Sequence, residues 1–236
     1  MSLPTSWIDL GNPRPLEVAK SYVPIVWPGG DVVRLPERYR SIGDPRPSSC
    51  EPTLREVFAR RRSLRTFGSL RREALSAVLE MTCRTQRTAT GSGGAMVSQR
   101  PVPSAGAIHP VHLLVLEPDA PALARYDSIG HALVSVPSKI DTEAVRTAIA
   151  EVLDPQAGTI LILAAEPNCT ASNYESSTSL VWRDAGVLLG ALALAAESLG
   201  LAHCPLGVTG EPFVSELLDQ AALKGVGVLL LGSRLE

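Results

Sequence analysis

The densest chemistry in the sequence lies at residues 60–65, Arg60-Arg61-Arg62-Ser63-Leu64-Arg65, where four guanidinium groups and a hydroxyl stand at the end of a helical pattern. Arginine presents a planar fork of donors that matches phosphate or carboxylate in two parallel hydrogen bonds. Each charge-assisted contact contributes roughly 1.5–3 kcal/mol, so several converging on one phosphate would dominate a ligand's affinity. A run of like charge is just as often a solvated face, and the run alone does not separate the two readings. Arg234, after a strand pattern and the pair Gly232-Ser233, is a further donor at the far end of the chain.

Two other stretches suit a flat ligand. In Pro103-Ser104-Ala105-Gly106 and in Cys204-Pro205-Leu206-Gly207 the side chains are small or compact, which leaves backbone amides free to bond the edge of a ring. Each is also readable as an ordinary turn. His109, His112, His131 and His203 are scattered, without a partner at ligand spacing, and read as structural. Cys50, Cys83, Cys169 and Cys204 form no C-x-x-C pair, which argues against a zinc site and a disulfide framework and favours reduced thiols in a cytoplasm. No metal is expected. Serine-hydrolase, P-loop and Rossmann signatures are missing. Net charge is -2 and aromatic content 4%, so the basic excess and stacking platform of a nucleic-acid binder are missing too.

These residues need a scaffold, and 236 residues with 45% hydrophobic content can bury a real core. The organising element is the stretch 182–201, WRDAGVLLGALALAAESLGL, uncharged between Asp184 and Glu197 and closed by Gly200. A helix apolar on every side must be covered on every side. Its uninterrupted apolar part is shorter than the roughly 20 residues of a bilayer span, so no membrane is expected. The cover is then either one domain's own core or, in part, a second subunit. Helical spacing recurs from Leu54 into the arginine run, from about Arg72, at 142–153 and after Pro212. VHLLVLE at 111–117, GTILILAA at 158–165 and GVGVLLLGSRL at 225–235 read as buried strands, and RYDSIGHALVSV at 125–136 as a turn with a strand. Residues 84–100 read as a polar, glycine-rich loop. Residues 1–50 carry many prolines, with Trp7, Tyr22, Ile25 and Trp27 among them, and form an extended arm across a protein surface, ahead of one domain at 51–236. The sum is an α+β layer architecture.

In this order the segments resemble the nitroreductase family, and within it the SagB-type dehydrogenases, through RRSLRTF at 61–67, PSAGAIHP at 103–110, RYDSIGHALVSV at 125–136, DAGVLLGALALAAESLGLAHCPLG at 184–207 and LLLGSRL at 229–235. The resemblance spans about residues 52–236. It implies a central mixed sheet flanked by helices, a long core helix at a homodimer interface, and FMN as cofactor in sites built by both subunits. It places Arg61, Arg62, Ser63, Arg65 and Arg234 on the FMN phosphate, ribityl chain and pyrimidine edge. Pro103, Ser104, Ala105 and Gly106 are implied beside the ring across the dimer, with Leu206 and Gly207 near N5. The implied activity is hydride transfer between flavin and a small-molecule or peptide-derived substrate, with NAD(P)H a candidate reductant and modified-peptide or other natural-product biosynthesis a candidate setting.

One departure bears on catalysis. Where SagB-type sequences carry a Lys-Tyr pair, this chain reads Asn173-Tyr174. Tyr174 is left as the candidate proton-transfer residue. Val187, Gly190 and Ala191 also stand where relatives are often polar. The resemblance therefore leaves open a protein of the same fold that no longer turns over and serves as a scaffold subunit, or one that alters its own flavin.

Overall fold

The structure is a computed structural model that describes residues 9–37, 51–91, 96–218 and 222–235. Trp7 and Cys50 lie outside the described residues. The arm contributes two short strands, β1 (Arg14–Pro15) and β2 (Val32–Arg34). Helix α1 (Leu54–Arg60) starts at a capping box in which Thr53 and Glu56 satisfy each other's backbone donors. Helix α2 (Arg72–Cys83) buries Leu75, Val78 and Leu79. Strands β3 (Arg87–Thr90) and β4 (Met96–Gln99) pair as a hairpin, so part of the expected 84–100 loop is ordered sheet. A single 3-10 turn, Ala105–Ala107, leads into β5 (Val111–Leu116), and β6 (Ala124–Asp127) and β7 (Ala132–Ser135) form the hairpin of the RYDSIGHALVSV segment. Helix α3 (Thr142–Ala150), strand β8 (Thr159–Ala165), helix α4 (Pro167–Ala171) and strand β9 (Tyr174–Glu175) precede the long helix α5 (Thr178–Ser198). Strand β10 (Ala202–Leu206), helix α6 (Phe213–Glu216) and strand β11 (Lys224–Gly232) complete the order.

Seven strands make one sheet in the order β10-β11-β8-β5-β6-β7-β2. Every pairing in it is antiparallel, so the parallel component of a mixed sheet does not occur among the described strands. Both faces are covered, which is why β5, β8 and β11 read as unbroken apolar runs. Leu113, Leu161, Leu163, Leu229 and Leu231 point to one face, where α2 and α5 pack. Leu114, Ile160, Ile162, Val228 and Leu230 point to the other, against α3 and α6. The long helix lies so close to the sheet that a Cβ on Gly227 would come within 2.8 Å of Leu189 Cδ1, so any larger residue there requires the Leu189 side chain to shift.

Helix α5 begins four residues before the stretch marked by the sequence and ends, as expected, at Gly200, whose φ is +70°. Val181, Ala185, Leu188, Leu192 and Ala196 are buried against the sheet and α2. The opposite face is open. Trp182 is 44% exposed and Val187 46%. A Cβ added to Gly186 or Gly190 would meet nothing within 4 Å. By length and composition α5 could also cross a membrane, a test that core helices pass as well; here one side is committed to the protein core.

The arm lies on its own subunit. Residue Arg14 pairs with Glu175, β2 forms the sheet edge beside β7, and between them Tyr22 Oη and Ile25 N–H both donate to Glu166 Oε1. His112 Nε2 holds the other Glu166 oxygen at 2.8 Å, and Trp27 stacks edge-on against His112 with ring centroids 5.0 Å apart.

Candidate functional site

The predicted residues gather into two groups. The first is built where the chain leaves α1. Arg61 caps the helix, and residues 61–66 run on extended beside β10, with Leu64 N–H donating to His203 O at 3.0 Å. Leu64 and Leu206 pack on the same core, which keeps this segment and the end of β10 together. Phe67 is buried and Gly68 exchanges two backbone hydrogen bonds with Ser233, so the arginine segment and the C-terminal Arg234 lie side by side. Arg61, Arg62, Ser63 and Arg65 are all exposed. Beyond Pro205 and the half-buried Leu206, Gly207 is exposed with nothing within 4 Å of where its Cβ would stand. A flat group could therefore approach the backbone here without meeting a side chain.

Arg234 is less free than its exposed neighbours. Its Nη2 binds Glu197 Oε2 at 2.9 Å and its Nε donates to Leu201 O at 3.4 Å. Glu197 is buried, as a carboxylate there must be paired. His203 lies fully buried with Nε2 3.7 Å from the same oxygen, beyond hydrogen-bond reach, and neither ring nitrogen finds a partner among the described residues. Burial pushes the His203 pKa down; Glu197 opposes this, while Arg61 and Arg234 reinforce it. Guanidiniums from opposite ends of the sequence thus act on one ring.

The second group sits at the other end of α5. Ser104 Oγ donates to Asp184 Oδ2 at 2.5 Å, Ala105 N–H to Asp184 Oδ1 at 3.3 Å, and His109 N–H to Ser104 Oγ at 2.9 Å. Asp184 thereby pins the Pro103–Gly106 turn to the helix. Gly106 has φ +62°, and a Cβ on it would lie 2.9 Å from Tyr174 Oη. A side chain there would be strained by the backbone and would have to push the phenol aside. Tyr174 and the turn are therefore neighbours. Asn173 is turned inward, its amide on Ser172 Oγ at 2.9 Å.

The two groups do not meet within one chain. Asp184 marks one and Glu197 the other, roughly 20 Å apart along α5 at 1.5 Å per residue. The open face of the helix runs from Trp182 to Gly190, beside the Asp184 group; from Ala191 to Ser198 no position is exposed. Asp184 and Glu197 were the residues missed by sequence reasoning. Their signal was their position as the charges bounding an otherwise uncharged helix, since a carboxylate there needs donors from elsewhere in the fold.

The antiparallel sheet, the long helix with one open face and the arginine-bearing loop define a class, and comparison with known proteins agrees. The sequence model of the nitroreductase family matches residues 58–232. The chain belongs to the nitroreductase family. Its fold is similar to that of a candidate nitroreductase from Ralstonia eutropha JMP134, with TM-score 0.60 and 17% identity, covering 92% of this chain and 99% of that one. It is similar to a chain of the Escherichia coli microcin synthetase McbBCD complex, solved with truncated pro-MccB17 bound, at TM-score 0.60 and 16% identity, covering 85% and 80%. A candidate nitroreductase from Anabaena variabilis ATCC 29413 aligns with TM-score 0.54 and 19% identity over 74% of this chain and 41% of that one. A search of the curated proteins finds no match.

Proposed function

We propose that the protein is an FMN-dependent oxidoreductase that works as a homodimer. The observation that carries the reading is the placement of two complementary groups at opposite ends of one helix, which is uncovered from Trp182 to Gly190. Two copies packed through antiparallel α5 helices would bring the arginine group of one against the Pro103–Gly106 turn of the other. The open glycines Gly186 and Gly190 allow the close helix approach that such packing needs.

The residues fit the cofactor. Arg61, Arg62, Ser63 and Arg65 are exposed donors suited to a phosphate and a ribityl chain, and the uncovered Gly207 admits a ring beside β10. Arg234, tethered by Glu197, contributes charge and position to the same end. When bound, FMN supplies reversible hydride acceptance at N5. The chain's own part is to hold the ring edge with backbone donors, to exclude water with the partner's turn, and to place Tyr174 Oη beside that turn for proton transfer. Family membership and the microcin synthetase neighbour support a SagB-type role on a small or peptide-derived substrate in natural-product biosynthesis, in a cytoplasm suited to the free thiols of Cys83, Cys169 and Cys204.

One observation favours a second reading, a scaffold subunit without turnover. Asn173 stands where a lysine would assist Tyr174, and its amide is occupied by Ser172. The two readings separate on whether bound FMN is reduced by NAD(P)H or a substrate and then reoxidised. Purified protein should be yellow and release FMN on denaturation; a colourless protein that FMN cannot reconstitute contradicts both.

A further inference from the structure

From Pro13 to Ile25 the arm turns every third residue inward. Pro13, Leu16, Ala19, Tyr22 and Ile25 are half-buried, and each residue between them is exposed. That is the repeat of a polyproline II ribbon, which makes no internal hydrogen bonds and so offers its backbone to a partner. Its partner is the link between α4 and α5, residues 172–177, which carries Tyr174. Lys20 N–H donates to Ser172 O and Leu16 N–H to Asn173 O, each at 2.8 Å. Pro15 stands opposite Tyr174 and Arg14 opposite Glu175. With Leu16 bonded to Asn173, the Pro15–Tyr174 pair is of the non-hydrogen-bonded class, where a missing N–H costs nothing and opposed side chains come closest. Gly11 closes the seam. At φ +78° it passes so near the link that a Cβ would lie 2.8 Å from Ser176 Oγ. Each residue from Ser172 to Ser176 therefore faces a residue of the arm.

The ribbon is fastened at one carboxylate. Glu166 is buried, and it accepts from Tyr22 Oη and Ile25 N–H on one oxygen and from His112 Nε2 on the other. Burial alone would raise its pKa, but the donors from His112, Tyr22 and Ile25 outweigh burial and hold it below the ordinary value. Its own N–H donates to Pro110 O at 2.8 Å, at the foot of the Pro103–Pro110 segment. One residue thus holds both the ribbon that backs Tyr174 and the segment whose Gly106 faces the Tyr174 hydroxyl. Val18, Val23 and Val26 face water, so hydrogen bonds carry much of the arm's hold. A segment with few buried apolar contacts opens at low cost, and the loss of one such bond is felt in its opening.

We propose that the arm is a clamp within the chain that seats Tyr174 beside the Pro103–Gly106 turn, and that Glu166 and Tyr22 are the positioning residues through which it acts. The catalytic consequence rests on the reading of Tyr174 as the proton-transfer group; the placement does not. The link belongs to neither flanking helix, and without the arm the carbonyls of Ser172 and Asn173 lose the donors that fix them. Proton transfer requires a group within hydrogen-bond reach, so a loosened link lowers turnover without touching the arginines that would hold the cofactor.

NMR of the full chain, with tyrosine labelled by carbon-13 at Cζ, tests this together with amide hydrogen exchange. Tyr22→Phe removes one donor from Glu166, and Lys20→Pro removes the N–H bonded to Ser172 in an extended segment that accommodates proline. Val18→Pro is the control, because Val18 is exposed and its N–H has no partner among the described residues. Tyr22→Phe and Lys20→Pro should shift or broaden the Tyr174 line, identified by its loss in Tyr174→Phe, and quicken exchange over 172–177 about fivefold or more. The line of the buried Tyr126 and exchange across the sheet should stay as in the parent, and Val18→Pro should leave every readout unchanged. Both variants should keep bound FMN and lower kcat with KM little altered. If Lys20→Pro fails to fold, Tyr22→Phe decides alone. An unmoved Tyr174 line with unchanged exchange in folded variants would overturn the proposal, as would changes spread equally over Tyr126 and the sheet, or reproduced by Val18→Pro. Parent kcat in a variant whose Tyr174 line has moved would overturn the catalytic consequence. The expected spectral changes in a protein that never takes up FMN would leave the clamp standing and count against the flavin reading instead.

Discussion

At the scale of single residues, the arginine segment was legible because type and spacing alone state what it can do. Arg61 and Arg65 are exposed on an extended stretch held to β10 by the Leu64–His203 hydrogen bond, so alanine there removes donors without disturbing the core. Arg61→Ala and Arg65→Ala should each weaken FMN retention about tenfold, read by fluorescence of released flavin; unchanged affinity in both would mean that the phosphate is held elsewhere. The partners of Asp184 and Glu197 were not legible, since a carboxylate's donors are set by the tertiary fold. His109 was read as structural and carries a pH dependence that only its surroundings reveal. Burial, with help from the Arg100 charge, lowers its pKa from 6.5 to about 4. The unfolded chain takes up a proton near pH 6.5 that the folded protein refuses until about pH 4, so stability is full above 6.5 and falls between those values. In urea titrations His109→Gln should decline less steeply over that window. A residual slope should remain, because His131 and His203 are lowered too. An identical profile in the variant would contradict the assignment.

At the scale of elements, what could be read were the long, strongly patterned pieces. β5, β8 and β11 are unbroken apolar runs because helices cover both faces of the sheet, and α5 declared itself by its lack of charge. The β3–β4 hairpin escaped notice because Arg87–Thr90 and Met96–Gln99 are short and mostly polar, and their pairing rather than their composition makes them strands. The arm's strands, two and three residues long, likewise exist through their partners β9 and β7. Helix α6 is a single turn, shorter than the amphipathic pattern after Pro212 suggested. For α5 the sequence indicated burial on every side, while the fold covers one side and leaves Trp182, Gly186, Val187 and Gly190 outward. Gly190→Arg would set a charged side chain in that open face, where an added Cβ meets nothing within 4 Å. The variant should fold with near-parent melting, sediment as a monomer and lose FMN. A folded, dimeric Gly190→Arg protein with bound FMN would show that the helices do not meet there.

At the scale of the whole molecule, the fold places two separate groups on one chain and leaves the helix between them open from Trp182 to Gly190. A site shared across a two-fold axis has a consequence that a site within one chain lacks: defects in opposite halves can be separated onto different subunits. The decisive variants are Arg61→Ala with Arg65→Ala in one subunit and Gly106→Val in the other. A β-branched side chain at φ +62°, pressed on Tyr174, disrupts the turn alone. In a hybrid dimer one site inherits both defects and the other inherits neither. FMN content of differently tagged, co-purified hybrids is therefore the most direct measurement. Each parent homodimer should be nearly colourless and the hybrid should recover one bound FMN per dimer, whereas hybrids as empty as both parents would contradict a site built from two subunits.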